Sequence, residues 1–360
     1  DSNGENGHWL LEPTSTNLIP YSEDFSQWSN ARTTDSSNQA TSPDGTNNAT
    51  YFEQNSGETT AGSVYVSSTI SSGTNTLSVF AKKKEKDFIV LYDTNAARTY
   101  FDLNNGSVGT TPSGVTANIE NYGNGWYRCL VTFTVSSSGA QNTAFYLADN
   151  DSAAPIADSG GIYIWGAQLE ALSYATSYIP TYGSTVTRAT ETLNGSGNST
   201  LINSTEGVLY AEIAALANSG DFRIISLSDG TNDNRVRINY TTVSEQIQAR
   251  VVVGGVTQAE INEYGFSNIT DFTKIAFAYK ENEVKLYING TLIGTDTSAS
   301  MASANTFDTL NFDGSISNDF YGKCKELAVF GEALSDDELE KLTSWSSFNA
   351  MATDLGYTIE

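Results

Sequence analysis

The chain has 360 residues and a formal net charge of −24, from 42 Asp and Glu against 18 Lys and Arg. Nucleic acids and anionic membrane surfaces are bound by clustered basic residues, so this balance argues against both as partners. The length predicts two domains, and the many Ser, Thr, Asn and Gly residues with 11% aromatics predict an all-β protein with packed cores.

The strand signals begin at Asn17, and we expect residues 1–16 to be a lead-in from an upstream segment. The first residue is Asp rather than Met, which indicates a fragment or a processed chain. His8, the one histidine of the sequence, falls in this lead-in. The sequence therefore lacks the residues for a histidine-based catalytic triad or metal site.

Short apolar runs separated by turn residues fill residues 17–190 and predict an antiparallel β-sandwich of seven or more strands. In NGWYRCLVTFTV, Trp126 and Arg128 lie on the face opposite an apolar stripe formed by residues 127, 129, 131, 133 and 135. In GIYIWGAQLE, Tyr163 and Trp165 share a face opposite two isoleucines, and one of these two faces must be core.

Exposed aromatic rings in this domain are the candidates for sugar binding. A ring stacks on the apolar face of a sugar, and polar side chains beside it bind the hydroxyl groups. Trp126, Arg128, Tyr163 and Trp165 are therefore candidate sugar-binding residues. The alternative for each of them is a structural role in packing.

Residues 191–206 are rich in Gly, Ser, Thr and Asn and predict a linker. Strand signals resume through residues 207–344 and predict a second antiparallel β-sandwich. In EVKLYINGTLIGT, Asn289 and Gly290 stand where a two-residue turn with positive φ angles would join two strands.

The segment SLSDGTNDNR predicts a turn at the rim of the second sandwich. Asp229, Asp233 and Asn234 are candidates there for binding an ion or a sugar hydroxyl. The alternative is ordinary turn chemistry, in which Asp and Asn side chains bond to their own backbone.

The end of the chain changes character from strand to helix. Ser335 and Glu338 form a capping box at the start of LSDDELEKLTSW, a short amphipathic helix with acidic residues in its first turn. Residues 345–360 form a C-terminal tail, in which SFNAMATDLGY predicts a second short helix. The whole pattern predicts two tandem β-sandwiches of the jelly-roll type with a helical tail.

The second half resembles the laminin G-like, concanavalin A-like jelly roll. The resemblance rests on the hairpin EVKLYINGTLIGT and on the last strand and helix start in GKCKELAVFGEALSDDELEKL. It covers about residues 205–345.

The first half resembles the carbohydrate-binding-module-like domain of phage virion proteins, such as tail fibres and head appendages. The motifs are NLIPYSEDFSQW, FDLNNGSVGT, YGNGWYRC and GGIYIWGAQLEALSYATSYIP, over about residues 9–191. This resemblance implies a location on the virion, with an extracellular, secreted protein as the alternative.

The jelly-roll resemblance also implies a structural Ca²⁺ ion where the first strand meets the last. Glu23 and Asp24 in SEDFS match the start of such a module, and Gln168 and Glu170 lie near the end of its closing strand. Oxygen ligands from strand ends suit Ca²⁺. The alternative is that these are ordinary polar residues of an acidic protein.

No motif for catalysis accompanies these resemblances. Retaining glycosidases of the concanavalin A-like fold carry Glu-x-Asp-x-x-Glu on one strand, and that string is missing from this sequence. The segment QIQAR has Gln where the alginate-lyase pattern of that fold has His. The sequence therefore predicts that the protein is not an enzyme.

The favoured function is a virion adhesin that binds host-surface or environmental polysaccharide, as a homo-oligomer beside other virion subunits. One alternative is a purely structural fibre or capsid-decoration subunit. Another is a secreted bacterial polysaccharide-binding protein or the appendage of a lyase. Membrane insertion is not expected, because no stretch of the sequence is long and apolar enough.

Overall fold

The computed structural model describes residues 7–92, 97–152, 159–218, 220–265, 268–314 and 318–344. They divide into two compact units. We call residues 14–189 the N-terminal sandwich, and residues 7–13 with the described residues from Thr190 onward the C-terminal sandwich. The predicted all-β fold is confirmed. The predicted tail at 345–360, with its second helix, lies outside the described residues.

The strands of the first half are β1 (Trp9–Leu11), β2 (Ser15–Asn17), β3 (Ser29–Ala31), β4 (Thr33–Ala40), β5 (Ala49–Gln54), β6 (Ser63–Ile70), β7 (Gly73–Lys83), β8 (Phe88–Tyr92), β9 (Arg98–Asp102), β10 (Ser107–Val108), β11 (Thr116–Gly123), β12 (Trp126–Val135), β13 (Gly139–Ala148), β14 (Gly160–Glu170) and β15 (Val186–Arg188). A 3-10 turn at Phe25–Gln27 lies between β2 and β3.

The strands of the second half are β16 (Glu206–Ala215), β17 (Arg223–Ser228), β18 (Arg235–Tyr240), β19 (Ile247–Val253), β20 (Val256–Glu263), β21 (Thr273–Lys280), β22 (Val284–Ile288), β23 (Thr291–Asp296), β24 (Thr309–Asn311) and β25 (Gly322–Phe330). Helix α1 (Asp336–Ser344) follows β25.

The N-terminal sandwich consists of two antiparallel six-stranded sheets and a short two-stranded sheet formed by β2 and β15. Sheet N1 has the order β10-β9-β8-β13-β6-β3, and sheet N2 has the order β11-β12-β7-β14-β5-β4. Alternating side chains from both sheets form one buried core, which includes Phe52, Val79, Val131, Phe145 and Leu169. Removal of this apolar surface from water is the main force that holds the sheets together, at about 25 cal/mol per Å².

The C-terminal sandwich has the same two-layer plan. Sheet C1 has the order β1-β25-β16-β21-β22-β23, and sheet C2 has the order β20-β19-β18-β17-β24. Their core includes Leu209, Leu227, Ile238, Ala249 and Phe277. The side chains between these core positions on C2 point away from C1, and this outer face of C2 becomes important below.

The predicted hairpin and helix cap are both confirmed. Ile288 pairs with Thr291, and the two turn residues between them, Asn289 and Gly290, have φ angles of 47° and 80°. At the start of α1, the backbone N–H of Ser335 donates to the Glu338 carboxylate at 2.8 Å. The helix lies on the outer face of C1, where its leucines pack against the alternate apolar positions of β16.

Two segments differ from their expected roles. Residues 9–11 fall in the expected lead-in, but they form β1, the edge strand of C1, in which Trp9 pairs with Cys324. The expected linker, residues 191–206, packs on the C-terminal sandwich: Ser196 bridges to Leu310, and Ile202 is 2% exposed in its core. Cys324 and Leu310 are more than a hundred residues away in sequence from Trp9 and Ser196, so local composition does not reveal these contacts.

No helix in the described part of the chain is long and apolar enough to cross a membrane.

Candidate functional site

The predicted sugar-binding residues of the N-terminal sandwich lie on the outer face of N2. Alternation indicated this for Trp126 and Arg128 and left the face of Tyr163 and Trp165 open. Trp126, Arg128 and Trp165 are nevertheless only 2–4% exposed. The indole N–H of Trp126 donates to the Thr41 carbonyl at 2.9 Å, and Arg128 donates to the Thr176 carbonyl at 2.8 Å. The structure therefore places these side chains inside a packed second layer rather than on an open platform.

This layer is built from aromatic rings and covered by the segment after β14. The ring centroid of Trp165 lies 4.6 Å from that of Tyr178 and 5.2 Å from that of Phe80. Sequence reasoning missed the cover because residues 171–182 carry no strand pattern that would announce where they pack. A sugar role for the buried residues stays a prediction, and the packing role is the one that the contacts explain.

Two features at the border of this layer are accessible to solvent. Tyr163 is half-buried, and its ring centroid lies 5.7 Å from that of Tyr51. A cleft of about 350 Å³ lies beside Trp126, with Lys82 and the half-exposed Tyr122 in its wall. An aromatic wall with a lysine is compatible with a sugar ligand.

Of the four predicted calcium ligands, the structure brings Gln168 and Glu170 together. Both are fully buried, and the Gln168 amide donates to the Glu170 carboxylate at 2.7 Å. Glu170 also accepts hydrogen bonds from the Ser15 hydroxyl at 2.6 Å and from the Thr176 N–H at 3.0 Å. These donors satisfy the buried carboxylate with hydrogen bonds.

The other two predicted ligands have separate roles. Asp24 caps the 3-10 turn and accepts from the Ser26 N–H at 3.2 Å. Glu23 accepts from the Tyr178 hydroxyl and the Asn48 amide, both at 3.1 Å, and burial raises the pKa of its carboxyl. Within the described ranges, no group of three or more His, Cys, Asp and Glu residues is arranged to hold a metal. Calcium therefore stays a prediction without a built site in this part of the chain.

The predicted rim turn of the C-terminal sandwich is held by its own side chains. Asp229 accepts from the Thr231 N–H at 2.9 Å and from the Asn234 amide at 2.7 Å. Partial burial disfavours the charged carboxylate, but these hydrogen bonds outweigh it and lower the pKa of Asp229. Asn234 also accepts from the Gly254 N–H, while Asp233 is exposed in the turn just before β18. Ordinary turn chemistry explains Asp229 and Asn234, and a sugar role for this turn stays a prediction.

Next to this turn lies a polar surface that sequence reasoning missed, the outer face of C2. The antiparallel register aligns five polar side chains from five strands in one row across the sheet: Glu260, Arg250, Arg237, Ser226 and Asn311. A second row places Asn262, Gln248 and Asn239 side by side. Arg235 precedes Arg237 by two residues and so projects from the same face. We call these residues the polar face of C2.

Hydrogen bonds join the two rows of the polar face. Arg237 donates to the Gln248 side-chain carbonyl at 3.0 Å, and Gln248 in turn donates to Asn262 at 3.0 Å. The Arg250 guanidinium lies 2.7 Å from the Glu260 carboxylate. Arg235 donates to the Gly314 carbonyl at 3.0 Å. The side chains are thus held in place before any ligand arrives.

The polar face is also electropositive. Burial and the neighbouring charges of Arg235 and Arg250 lower the pKa of Arg237 to about 10. Arg237 is only 6% exposed, whereas Arg235 and Arg250 are half-buried. The face therefore has a deep guanidinium at its floor and two more accessible ones beside it.

A signal for this surface does exist in the sequence. In NRVRINY, charged residues alternate with apolar ones, which fixes Arg235 and Arg237 on one face. Arg250 and Glu260 continue this row only because β18, β19 and β20 pair in one particular register. Alternation within a strand does not reveal the register between strands.

Comparison with known proteins supports the fold of the C-terminal sandwich. Residues 196–340 match the laminin G model of the concanavalin A-like lectin/glucanases superfamily. No curated protein matches the chain in sequence.

Three solved structures are among those similar to this chain. The CBM40 domain of the Ruminococcus gnavus IT-sialidase, bound to α2,3-sialyllactose, is 18% identical over 42% of this chain and 96% of its own, with a TM-score of 0.35. The heptameric SAP-like pentraxin of Limulus polyphemus is 13% identical over 44% of this chain and 77% of its own, with a TM-score of 0.36. Domains LG4-5 of the mouse laminin α1 chain are 9% identical over 92% of this chain and 94% of their own, with a TM-score of 0.27.

Residues 196–340 of the C-terminal sandwich are therefore similar to concanavalin A-like, laminin G-like domains.

Proposed function

We propose that this protein is a non-catalytic glycan-binding protein, and that the polar face of C2 is its binding surface. The observation that carries the proposal is the set of aligned, mutually hydrogen-bonded side chains on the outer side of this sheet. Sugars are recognised through many hydroxyl groups, and amide and guanidinium groups fixed in advance bind them without a large ordering cost.

A binding role explains the carboxylate of the polar face better than a catalytic one. A glycosidase needs two carboxyl groups on either side of the scissile bond, one of them ready to give up a proton. Glu260 is instead ion-paired with Arg250. The match of residues 196–340 to a superfamily of lectins and glucanases fits either activity, and this pairing favours binding.

The biological setting that we propose is adhesion by a virion protein. It is supported by the resemblance of the N-terminal half to modules of phage tail fibres and head appendages. Weak contacts to surface polysaccharide would be multiplied by the copies in a homo-oligomer, so that the whole particle binds firmly. A secreted polysaccharide-binding protein would use the same surface outside a virion.

A structural role in a larger assembly is the second candidate, and one observation favours it. Strand β1 is the edge strand of C1, and its Trp9 side chain is 59% exposed. An edge strand with an exposed aromatic residue can pair with another chain. In that case the partner would be a second subunit, and the polar face would remain free.

The test is native gel electrophoresis through gels that contain a panel of neutral and acidic polysaccharides. We expect retardation by at least one of them, with no shortening of the polysaccharide when its size is measured afterwards. The variant Gln248→Ala with Asn262→Ala should lose most of this retardation. Thr291→Ala with Thr295→Ala, exposed on β23 of C1, is the matched control and should retain it.

Two results would count against the proposal. Migration unchanged by every polysaccharide would remove the glycan-binding function and favour the structural role. Retardation that persists in the Gln248→Ala, Asn262→Ala variant would move the binding surface away from the polar face of C2.

A further inference from the structure

We infer that the polar face of C2 recognises an acidic sugar, one that carries a carboxylate or a sulfate ester, through Arg235, Arg237 and Arg250. This inference rests on the proposed glycan-binding function and adds the chemical class of the ligand. The shared chemistry is a planar or tetrahedral oxyanion beside ring hydroxyl groups. Uronic and sialic acids on one side and sulfated sugars on the other both provide it.

The first argument is the distribution of charge. The sequence has eight arginines among 360 residues with a net charge of −24, and three of the eight lie on this one face. Arg237 and Arg250 lie directly opposite each other, which is unfavourable for like charges unless an anion lies nearby. Among the described residues, Glu260 forms an ion pair with Arg250 and with no other cation, so Arg235 and Arg237 have no ion-pair partner there.

Asp233 is a second carboxylate near this group. It attracts Arg235 from the end of the rim turn without forming an ion pair with it. Among the described residues, Asp233 thus acts on Arg235 and Glu260 on Arg237, while Arg237 also lies between the positive charges of Arg235 and Arg250.

The second argument is the hydrogen-bonding capacity that the protein leaves unused. The Nε–H groups of Arg235, Arg237 and Arg250 have no hydrogen-bond partner among the described residues. Arg237 is more than nine-tenths buried, so its unpaired N–H carries a cost that an incoming acceptor would remove. The edge of a guanidinium formed by Nε and one Nη is the fork that binds carboxylates and sulfates with two parallel hydrogen bonds.

The third argument separates a sugar from a simple anion. Asn239 lies in the row beside Arg237, is 1% exposed, and its side-chain carbonyl has no hydrogen-bond partner in the described structure. Gln248 and Asn262 extend the same row to the edge of the sheet. An unused acceptor and further amides next to an oxyanion site suit a ligand that carries hydroxyl groups as well as a negative charge.

The overall charge sets the conditions for the measurement. A net charge of −24 repels a polyanion at long range. At an ionic strength of about 0.15 M the Debye length is about 8 Å, so this repulsion is screened while the direct contacts to the arginines persist. The test therefore uses salt near this concentration.

The experiment measures the binding of the whole chain to matched pairs of polysaccharides. Alginate, a polymer of uronic acids, is paired with its carboxyl-reduced form, and carrageenan, a sulfated galactan, with its desulfated form. We expect the chain to bind at least one acidic member about tenfold or more tightly than its neutral counterpart, the factor that 1.4 kcal/mol provides. The member that binds identifies the carboxylate or the sulfate as the recognised group.

The variant Arg235→Gln with Arg250→Gln should weaken binding to that acidic polysaccharide about tenfold or more. Lys280→Gln with Lys341→Gln changes the net charge equally, on C1 and α1, and should leave the affinity within about twofold. Arg235→Lys with Arg250→Lys keeps the charge but not the fork, and should restore binding only in part. If Arg235→Gln with Arg250→Gln does not fold, Arg235→Lys with Arg250→Lys still provides the test, provided that its thermal unfolding midpoint equals that of the parent.

The outcomes separate this inference from the proposed function. If the neutral polysaccharides bind as well as the acidic ones and the arginine variants bind normally, the inference is overturned and glycan binding stands. If Lys280→Gln with Lys341→Gln weakens binding as much as Arg235→Gln with Arg250→Gln, the effect is one of net charge and the inference also fails. If no polysaccharide of the pairs or of the wider panel binds, the proposed function itself is lost.

Discussion

Arg237 on β18 and Arg250 on β19 lie directly opposite each other in sheet C2, so two like charges share one cross-strand pair. Such a pair destabilises a sheet. The next residue of the same row, Glu260, has its carboxylate 2.7 Å from the Arg250 guanidinium and offsets part of the repulsion. The row is therefore held together by an ion pair at its edge.

This relationship predicts the effect of Glu260→Gln on stability. Loss of the carboxylate removes an ion pair that is about one-third exposed, and nothing then offsets the repulsion between Arg237 and Arg250. We therefore expect a loss of about 0.5–1 kcal/mol in the free energy of unfolding. Urea unfolding at pH 7 measures it. Glu332→Gln, an exposed carboxylate after β25, is the control and should have no effect. Equal stability of the two variants would mean that Glu260 does not offset the repulsion between Arg237 and Arg250.

The β22–β23 turn predicts a cost for a side chain at Gly290. Its φ angle is 80°, and an added Cβ would lie 3.1 Å from the Ser344 Cβ. We expect Gly290→Ala to lower the free energy of unfolding by about 1 kcal/mol, because L-residues are strained in this conformation. Gly331→Ala is the matched control, since its added Cβ meets no atom within 4 Å. A neutral effect of Gly290→Ala in urea unfolding would show that the turn adapts.

The buried carboxylate of Glu170 predicts a large effect of a nearly isosteric change. The Glu170 carboxylate accepts hydrogen bonds from the Ser15 hydroxyl, the Gln168 amide and the Thr176 N–H. In Glu170→Gln, an NH₂ group replaces one of the accepting oxygens and faces these donors. We expect a loss of about 2–3 kcal/mol for this charge-assisted network. Glu120→Gln on β11 of the same sheet serves as control. Chemical unfolding that gives the two variants the same midpoint would contradict the importance of the network.

The same network predicts the response to metal removal. Because hydrogen-bond donors satisfy Glu170, we expect EDTA to leave the thermal unfolding midpoint of the chain unchanged relative to a sample with millimolar Ca²⁺. Differential scanning calorimetry checks this. A lower midpoint in EDTA would instead support the calcium site predicted at Glu23, Asp24, Gln168 and Glu170, and a shift that disappears in Glu23→Gln would locate it.

The rim turn predicts a pH dependence of stability. Hydrogen bonds from Thr231 and Asn234 lower the folded-state pKa of Asp229. A group with a lowered pKa stabilises the fold above its ordinary value of about 3.9 and loses this contribution as the pH falls through the folded pKa. We therefore expect Asp229→Asn to be less stable than the parent at pH 7 by about 0.5–1 kcal/mol, and the gap to narrow toward pH 2.5.

Urea unfolding at both pH values measures this gap. Asp233→Asn, on the same turn, is the control, because no neighbouring group among the described residues donates a hydrogen bond to its carboxylate. A gap for Asp229→Asn that stays constant from pH 7 to pH 2.5 would show that the ionised form has no special role.

The local features of this fold could be predicted from the sequence, because they depend on neighbours within a few residues. The turn at Asn289 and Gly290 and the helix cap at Ser335 are of this kind. Strand alternation likewise placed Trp126 and Arg128 on the face opposite the apolar stripe of β12, since side chains in a strand repeat every two residues.

What alternation does not show is whether the outer face of a strand meets water. The face that carries Trp126 is covered by Tyr178 and its neighbours, more than forty residues further along the chain. The buried network of Glu170 has the same origin, since Ser15 reaches it from the opposite end of the N-terminal sandwich sequence.

The sequence by itself determined the all-β class, the tandem sandwiches, the hairpin, the helix cap and the two faces of each strand, all through short-range periodicity. Only the tertiary structure decided that residues 9–11 join C1, that Ile202 enters a core, and that Arg250, Arg237 and Ser226 form one row. The physical reason is that register and coverage arise from pairings between distant segments, where a shift of one residue would turn every side chain of a strand to the other face.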